Sequence, residues 1–214
     1  MYNFCMNKYD EIISKLREII KEPVCELNFT NNFELLIAVI LSAQCTDKRV
    51  NIVTKELFSV YDTPNKLANA RLSDVERIIM PCGFYHNKAK NIIEASKQLV
   101  INFDGQVPQE TNELMSLSGV GRKTANVVRA VGFKIPAIAV DTHVFRVSNR
   151  LGLASAKDVT NTEKQLMKNV KKKDWIDVHH MLILFGRYYC KALNPRCENC
   201  AFKYDCKYVR EKKK

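Results

Sequence analysis

The stretch LMSLSGVGRKTANVV, Leu114 to Val128, is the one whose reading decides the fold. Leu114 and Leu117 mark a short helix, Gly119 and Gly121 a turn, and a second helix begins at once at Arg122. Glycine admits positive φ and lets another backbone come close. The unpaired amides at the start of the second helix then face outward, where a phosphate can take them. Taken alone, Gly-x-Gly fits a plain tight turn between helices equally well. It does not fit a phosphate-binding Walker A loop, because Arg122 separates Gly121 from Lys123 and no strand precedes it. Nor does it fit a dinucleotide-binding turn, which needs a glycine where Thr124 stands.

Outward from that hairpin the pattern is helical almost throughout. Ile12, Ile13, Leu16, Ile19 and Ile20 recur at three-to-four spacing and stop before Pro23. Phe33 to Gln44 is almost wholly apolar and reads as a buried central helix. Val50, Val53, Leu57 and Phe58 form the next stripe. Thr63-Pro64 opens a short helix with Thr as cap and Pro in the first turn. Ser73 to Glu76 and Thr160 to Glu163 read as capping boxes. Asn87 is the expected cap of a helix that Gly105 stops, and Asp141 that of one closing at Gly152. Trp175 to Tyr189 leads into the tail. Only Ile135 to Val140 looks strand-like, and it is too short to anchor a sheet. These readings predict an all-α protein of about ten helices, with two helical lobes and a groove between them suited to a long polyanion.

Composition narrows the partners. The chain has 214 residues, 46% hydrophobic and 27% charged, as for an ordinary soluble protein with a real core. No apolar run approaches the roughly 18 residues that span a bilayer, and Met1 to Asp10 lacks the layout of a signal peptide. A cytosolic protein is expected. The net charge is +11, and Gly186 to Lys214 holds nine Lys or Arg against three Asp or Glu. A solvated charged surface explains that, and so does a nucleic acid partner. A membrane surface fits less well, since the basic tail has no strongly apolar helix face.

The tail also carries Cys190-x6-Cys197-x2-Cys200-x5-Cys206, four thiols in seventeen residues. That density points to a metal cage, and the basic neighbours Arg187, Lys191, Arg196, Lys203 and Lys207 favour thiolates. Three arrangements fit: a four-Cys iron–sulfur cluster, structural zinc, or two disulfides. Zinc sites usually show two short-spaced pairs, and disulfides need an oxidising compartment. The other cysteines, Cys5, Cys25, Cys45 and Cys82, are scattered and read as small neutral residues.

Lys123 falls in the first turn of the second hairpin helix. The positive end of that helix and neighbouring Arg122 both oppose charge on it, and a neutral lysine is a nucleophile. A phosphate-binding lysine would serve the same place. Eighteen residues on, Asp141 caps a helix within Val140-Asp141-Thr142-His143. A capping aspartate is held rigidly and is available for chemistry beside Lys123.

These residues together resemble the endonuclease III family of helix-hairpin-helix DNA glycosylases. The likeness rests on Gly119 to Ala125, on Val140 to His143 and on the four-cysteine loop, in that order and at the expected separations. It runs from Glu26-Leu27-Asn28-Phe29 to Cys206, taking in Phe33 to Val39 and Leu41 to Gln44. The resemblance implies two α-helical domains. One is a six-helix lobe with the hairpin, residues 25–135; the other joins residues 1–24 to 136–214 and holds a [4Fe–4S] cluster on Cys190, Cys197, Cys200 and Cys206. It implies a monomer in the cytoplasm, nucleoid-associated when bound to its substrate. That substrate is double-stranded DNA with oxidised pyrimidines or abasic sites. It implies removal of the damaged base followed by strand cleavage through a Schiff base on Lys123, with Asp141 stabilising positive charge on the sugar. Monofunctional relatives lack a lysine here, so Lys123 itself implies lyase activity. Gly119, Val120, Gly121 and Arg122 match the backbone-binding hairpin. Gln44 and Phe84 match positions that fill the gap left by a flipped nucleotide, as inserted side chains do.

Six positions depart from the family pattern or stand outside it. Phe84 replaces the usual leucine wedge, and a partly buried core aromatic is its plain alternative. Ser118 stands where proline is common, which is expected to loosen the turn. Cys45 replaces a common alanine, a packing change only. His143, His179 and His180 show no metal-like arrangement and are expected to be structural. Two rivals remain from other classes: a non-catalytic helix-hairpin-helix DNA-binding module, and a zinc-stabilised protein–protein adaptor.

Overall fold

Helices, several of them started by a side-chain cap, make up most of the described structure. The computed structural model describes residues 7–212, so Cys5 lies outside the described residues. Twelve α-helices and no strand occur among them, as the helical periodicity requires. They fall into two compact units, residues 26–135 and residues 1–25 with 136–214.

The first unit is built on α2 (Asn32–Leu41), in which every residue from Phe33 to Leu41 is buried. Asn31 starts it, its side chain accepting from the Glu34 amide, and Glu34 in turn accepts from the Thr30 amide at 2.7 Å. The helix ends at Leu41, short of the expected Gln44; Gln44 turns into left-handed backbone at φ 52°. Helix α3 (Asp47–Val60) follows, then α4 (Pro64–Ala68), with Thr63 capping and Pro64 in the first turn as expected. Helix α5 (Leu72–Ile79) begins before the predicted capping box. Ser73 is therefore inside the helix, and Asp74 in the first turn is held by the Arg71 guanidinium at 2.9 Å. Helix α6 (Tyr85–Asn102) also starts earlier than Asn87, from a left-handed Phe84. It ends where Gly105, at φ 74°, returns its amide to the Leu99 carbonyl. Helices α4 and α5 pack on α6, and α3 packs on α5. Helix α7 (Thr111–Ser116) and α8 (Arg122–Val127) flank the hairpin, and α8 runs on into a π-turn over Val128–Gly132.

Residues Pro136 to Val140 carry the chain into the second unit. They form no strand, and burial of Ala137 to Val140 explains their apolar character. Here α1 (Lys8–Ile19) and α9 (Thr142–Leu151) pack on α11 (Trp175–Tyr188). Helix α10 (Val159–Asn169) and α12 (Lys207–Lys212) lean on α9. Leu16, Val144, Val147, Leu166, Val178 and Phe185 are core residues of this unit. The cap of α10 is Asp158 rather than Thr160. Its carboxylate accepts from the Asn161 amide at 2.8 Å, a bond that holds the Asp158 carboxyl below the usual carboxylate range. An ionised acceptor at a helix start outcompetes a hydroxyl two residues later. No helix among the described residues is long and apolar enough to cross a membrane.

Candidate functional site

The hairpin is fixed from below by α6. Gly119 has φ 77°, and a Cβ there would come within 2.9 Å of the Asn91 Cβ, so only glycine fits. Gly121 has ordinary extended backbone and open space around it. The two glycines thus do different things: the first makes the turn, and the second leaves room outside it. Val120 turns inward, 7% exposed, and its amide is spent on the Leu117 carbonyl at 3.1 Å. That leaves the start of α8, where Gly121 is the cap residue with no side-chain capping bond, as the outward-facing part. Arg122 and Lys123 are exposed there.

Ser118 does not loosen this turn. Its amide donates to Gln98 Oε1 at 2.7 Å, a bond that proline could not make, and its hydroxyl meets Asn91 Oδ1 at 3.1 Å. Asn91 and Gln98, both on α6, were not legible as hairpin residues, because contacts 20 and 27 residues apart leave no local pattern.

Gln44 and Phe84 belong to the same unit as the hairpin. Gln44 is exposed at the turn between α2 and α3. Phe84 is 68% exposed, so the core-aromatic alternative fails. Both hold left-handed backbone, φ 52° and 49°, which costs a non-glycine residue roughly 1 kcal/mol or more. Strain at two exposed turns marks positions that folding alone does not favour.

In the second unit Asp141 caps α9, its Oδ1 accepting from the Val144 amide at 2.7 Å. His143 is half-buried, its Nδ1 3.2 Å from Arg146 Nη2, and burial lowers its pKa. His180 Nδ1 lies 2.9 Å from the Ile176 carbonyl oxygen, and His179 is buried edge-on against it.

The four tail cysteines line one cavity of about 320 Å³, together with Ile19, Leu151, Phe185 and Tyr208. They form no disulfide. Two arginines of α9 grip the start of the loop. Arg146 Nε donates to the Cys190 carbonyl oxygen at 3.1 Å, and Arg150 Nη1 donates to Cys190 Sγ at 3.3 Å. The Cys206 thiol donates to the Arg150 carbonyl at 3.3 Å. Among the described residues no three His, Cys, Asp or Glu come close enough to share one metal ion. Zinc would need four sulfurs about 2.3 Å from a single centre. A four-Cys iron–sulfur cluster would be held by all four thiolates, and the cavity that these cysteines line is where it would sit. The residues fit a cluster. The expectation that basic neighbours lower the thiol pKa values fails at Cys200 and Cys206, where burial pushes them up and the other thiols add to it. Loading this site must therefore release protons.

Comparison with known proteins agrees with this geometry. Residues 37–172 match the family described as HhH-GPD superfamily base excision DNA repair protein. Endonuclease III of Bacillus subtilis (strain 168) is 51% identical over 189 residues, covering 88% of this chain and 86% of the relative. That of Escherichia coli (strain K12) is 46% identical over 198 residues, covering 92% and 94%. A solved trapped endonuclease III–DNA covalent intermediate superposes with a TM-score of 0.92 at 45% identity, covering 98% of this chain and all of that one. The chain belongs to the endonuclease III family of HhH-GPD base excision DNA repair proteins.

Proposed function

We propose that this chain removes oxidised pyrimidines from double-stranded DNA and cleaves the abasic site that results, with Lys123 as nucleophile. The observation that carries the reading is the exposed Lys123 in the first turn of α8, directly after a hairpin whose shape Gly119 and Asn91 fix. The related protein trapped as a covalent intermediate with DNA supports a nucleophile there. A module that only bound DNA would need no such residue, and it finds no support among the relatives.

The chemistry follows from the residues. DNA backbone phosphate meets the start of α8, where the open space at Gly121 admits it. The damaged nucleotide leaves the stack at a cost of roughly a few kcal/mol, less for a damaged base. Gln44 and Phe84 fill the gap it leaves. Lys123 Nζ then attacks C1′ of the sugar and the base departs, taking up a proton; the amine gives up its own proton, the C1′–O4′ bond breaks with a proton passing to O4′, and the opened sugar is left joined to Lys123 as a protonated C1′=Nζ Schiff base. Removal of a C2′ proton expels the 3′ phosphate by β-elimination. Asp141, held rigidly at its cap, stabilises positive charge on the sugar and assists proton transfer.

Cys190, Cys197, Cys200 and Cys206 would hold a [4Fe–4S] cluster. When bound, it supplies iron–thiolate bonds that cross-link the tail. The protein acts on DNA as a monomer in the cytoplasm.

Borohydride trapping tests the central claim. On duplex DNA with a thymine glycol or an abasic site, the wild type is expected to form a covalent adduct. Lys123→Gln should form none and lose strand cleavage by about 10³-fold or more while still binding DNA. Wild-type cleavage by that variant would remove Lys123 as nucleophile.

A further inference from the structure

Lys88 is a lysine almost wholly withdrawn from water. It sits in the first turn of α6, just after Phe84, and is 6% exposed. Lysine stems are commonly covered while the head group stays in solvent, and burying that head group is costly. Burial lowers its pKa, and among the described residues no carboxylate pairs with it. Its Nζ instead donates to the Cys82 carbonyl oxygen at 2.8 Å. Cys82 closes a short 3-10 turn, Met80–Cys82, and Gly83 and Phe84 follow. A helical side chain leans back over the preceding turn, which is the direction this contact needs. The backbone amide of the same lysine donates to the Phe84 carbonyl oxygen at 3.1 Å. One residue thus holds the carbonyls on both sides of Gly83.

The turn between those carbonyls needs holding. Gly83 and Phe84 both have positive φ, 61° and 49°. Phe84 is the cap residue of α6 but makes no side-chain capping bond, and its ring stands mostly in solvent. Little packing and no side-chain cap therefore fix the ring. We propose that Lys88 is a positioning residue for Phe84: its buried Nζ locks the Gly83–Phe84 turn so that the ring stands ready to enter the gap in the DNA. The use of the ring on DNA rests on the gap-filling reading given above; the lock itself does not.

Without the Nζ, the Cys82 carbonyl loses this partner and is free to turn. Gly83 comes next along the chain and rotates more freely than any other residue type, so Phe84 moves with it. Phe84 then relaxes out of its left-handed backbone, which a side chain disfavours. A side chain already in place enters the stack without first being ordered, whereas a mobile one must be ordered at that step. The lysine is on this account kept for duplex recognition rather than for stability. A buried charge is often replaced by an apolar side chain of like size with no loss of stability.

The test is a double-mutant cycle on the cluster-loaded protein, read by single-turnover cleavage of duplex DNA holding an abasic site. Lys88→Met keeps the stem and removes the donor. It is expected to melt within about 5 °C of wild type. It should cleave between roughly 10- and 100-fold more slowly, as misplacement of a remote contact does. Phe84→Ala should lose as much or more, and the double variant no more than Phe84→Ala alone. 2-Aminopurine opposite a stable abasic analogue should brighten when wild type binds and stay dim with saturating Lys88→Met, a signal that a merely structural lysine would leave unmoved. Multiplied losses in the double variant would overturn the proposal, since Lys88 would then act apart from Phe84. So would wild-type cleavage by Lys88→Met beside an impaired Phe84→Ala. Wild-type cleavage by Phe84→Ala is a different failure: it sinks the gap-filling reading, and the proposal with it. Should Lys88→Met fail to fold, Lys88→Gln, one atom too short to reach the carbonyl, takes its place in the cycle.

Discussion

From Leu117 to Gly121 the chain makes an irregular turn of five residues; from Cys190 to Cys206 it makes one of seventeen. The hairpin is held by the protein's own atoms: Gln98 and Asn91 reach it from α6, Val120 plugs it inward, and Gly119 fits its backbone to Asn91. The cysteine loop has far less. Within it only Phe202 and Cys206 are buried, Phe202 lying edge-on to Phe185, while Leu193 and Tyr204 are each 83% exposed. Two buried side chains cannot offset the conformational entropy of seventeen ordered residues. The hairpin takes its rigidity from hydrogen bonds and close packing on α6, whereas the cysteine loop is tied at its two ends to α9 and by short backbone turns, which leaves the four thiols to fix the rest.

Breaking the cysteine loop should therefore do the most damage. Cys197→Ser is expected to lose iron and lower the melting temperature by on the order of 10 °C, because binding energy at such a site is folding energy. Amide exchange should rise from Cys190 to Lys212 and stay slow around Leu117 to Ala125. An iron-free variant with unchanged melting would show the loop to be self-supporting and would end the contrast.

The hairpin breaks in a different way at each glycine. Gly119→Ala forces a side chain into left-handed backbone and against Asn91, and should cost about 1–3 kcal/mol of stability. Gly121→Ala meets nothing within 4 Å and should cost under about 1 kcal/mol, the difference between glycine and alanine as a cap. Yet Gly121→Ala should weaken abasic-DNA binding, because its new methyl group occupies the space a phosphate needs. Equal stability losses at the two positions, read by urea unfolding, would erase the distinction between a turn glycine and an approach glycine.

Much of this was legible in the sequence, and the misses share a cause. Helix periodicity, the Thr63 and Asp141 caps and the Gly105 and Gly152 stops follow from local rules, and they hold. The two capping boxes fail because Arg71 and Asp158, each two residues before the expected cap, took the start of the helix instead. Gln44 and Phe84 could be named from the family pattern, but their left-handed backbone has no sequence signal for residues that are neither Gly nor Asn. Ser118 was misread because its partners are on another helix. Lys88 drew no reading from the sequence, and only tertiary packing buries it with its Nζ on the Cys82 carbonyl oxygen.

Asp141 sits on a helix that also grips the cysteine loop, so capping and chemistry need separating there. Asparagine caps as well as aspartate, whereas alanine forfeits about 1 kcal/mol. Asp141→Asn should keep wild-type melting and still lose most turnover on abasic DNA, since only the charge is gone. Asp141→Ala should lose both. If Asp141→Asn cleaved normally, the aspartate would be a cap and nothing more.

The smallest effect expected lies two residues along, at His143. Burial lowers its pKa, Arg146 and Arg187 push the same way, and Asp141 and the Gly186 backbone oppose them. The unfolded chain takes up this proton near pH 6.5, the folded chain only below that. The sign follows: stability from His143 is complete above about pH 6.5 and drains away as pH falls toward the depressed folded value. Melting temperatures at about pH 7.5 and 5.5 should fall further apart for wild type than for His143→Gln. Acid loss of a cluster affects both proteins alike and cancels in that difference. Equal differences would mean that α9 holds His143 no drier than solvent does, and the arginines that hold the cysteine loop would then act across water rather than within packed protein.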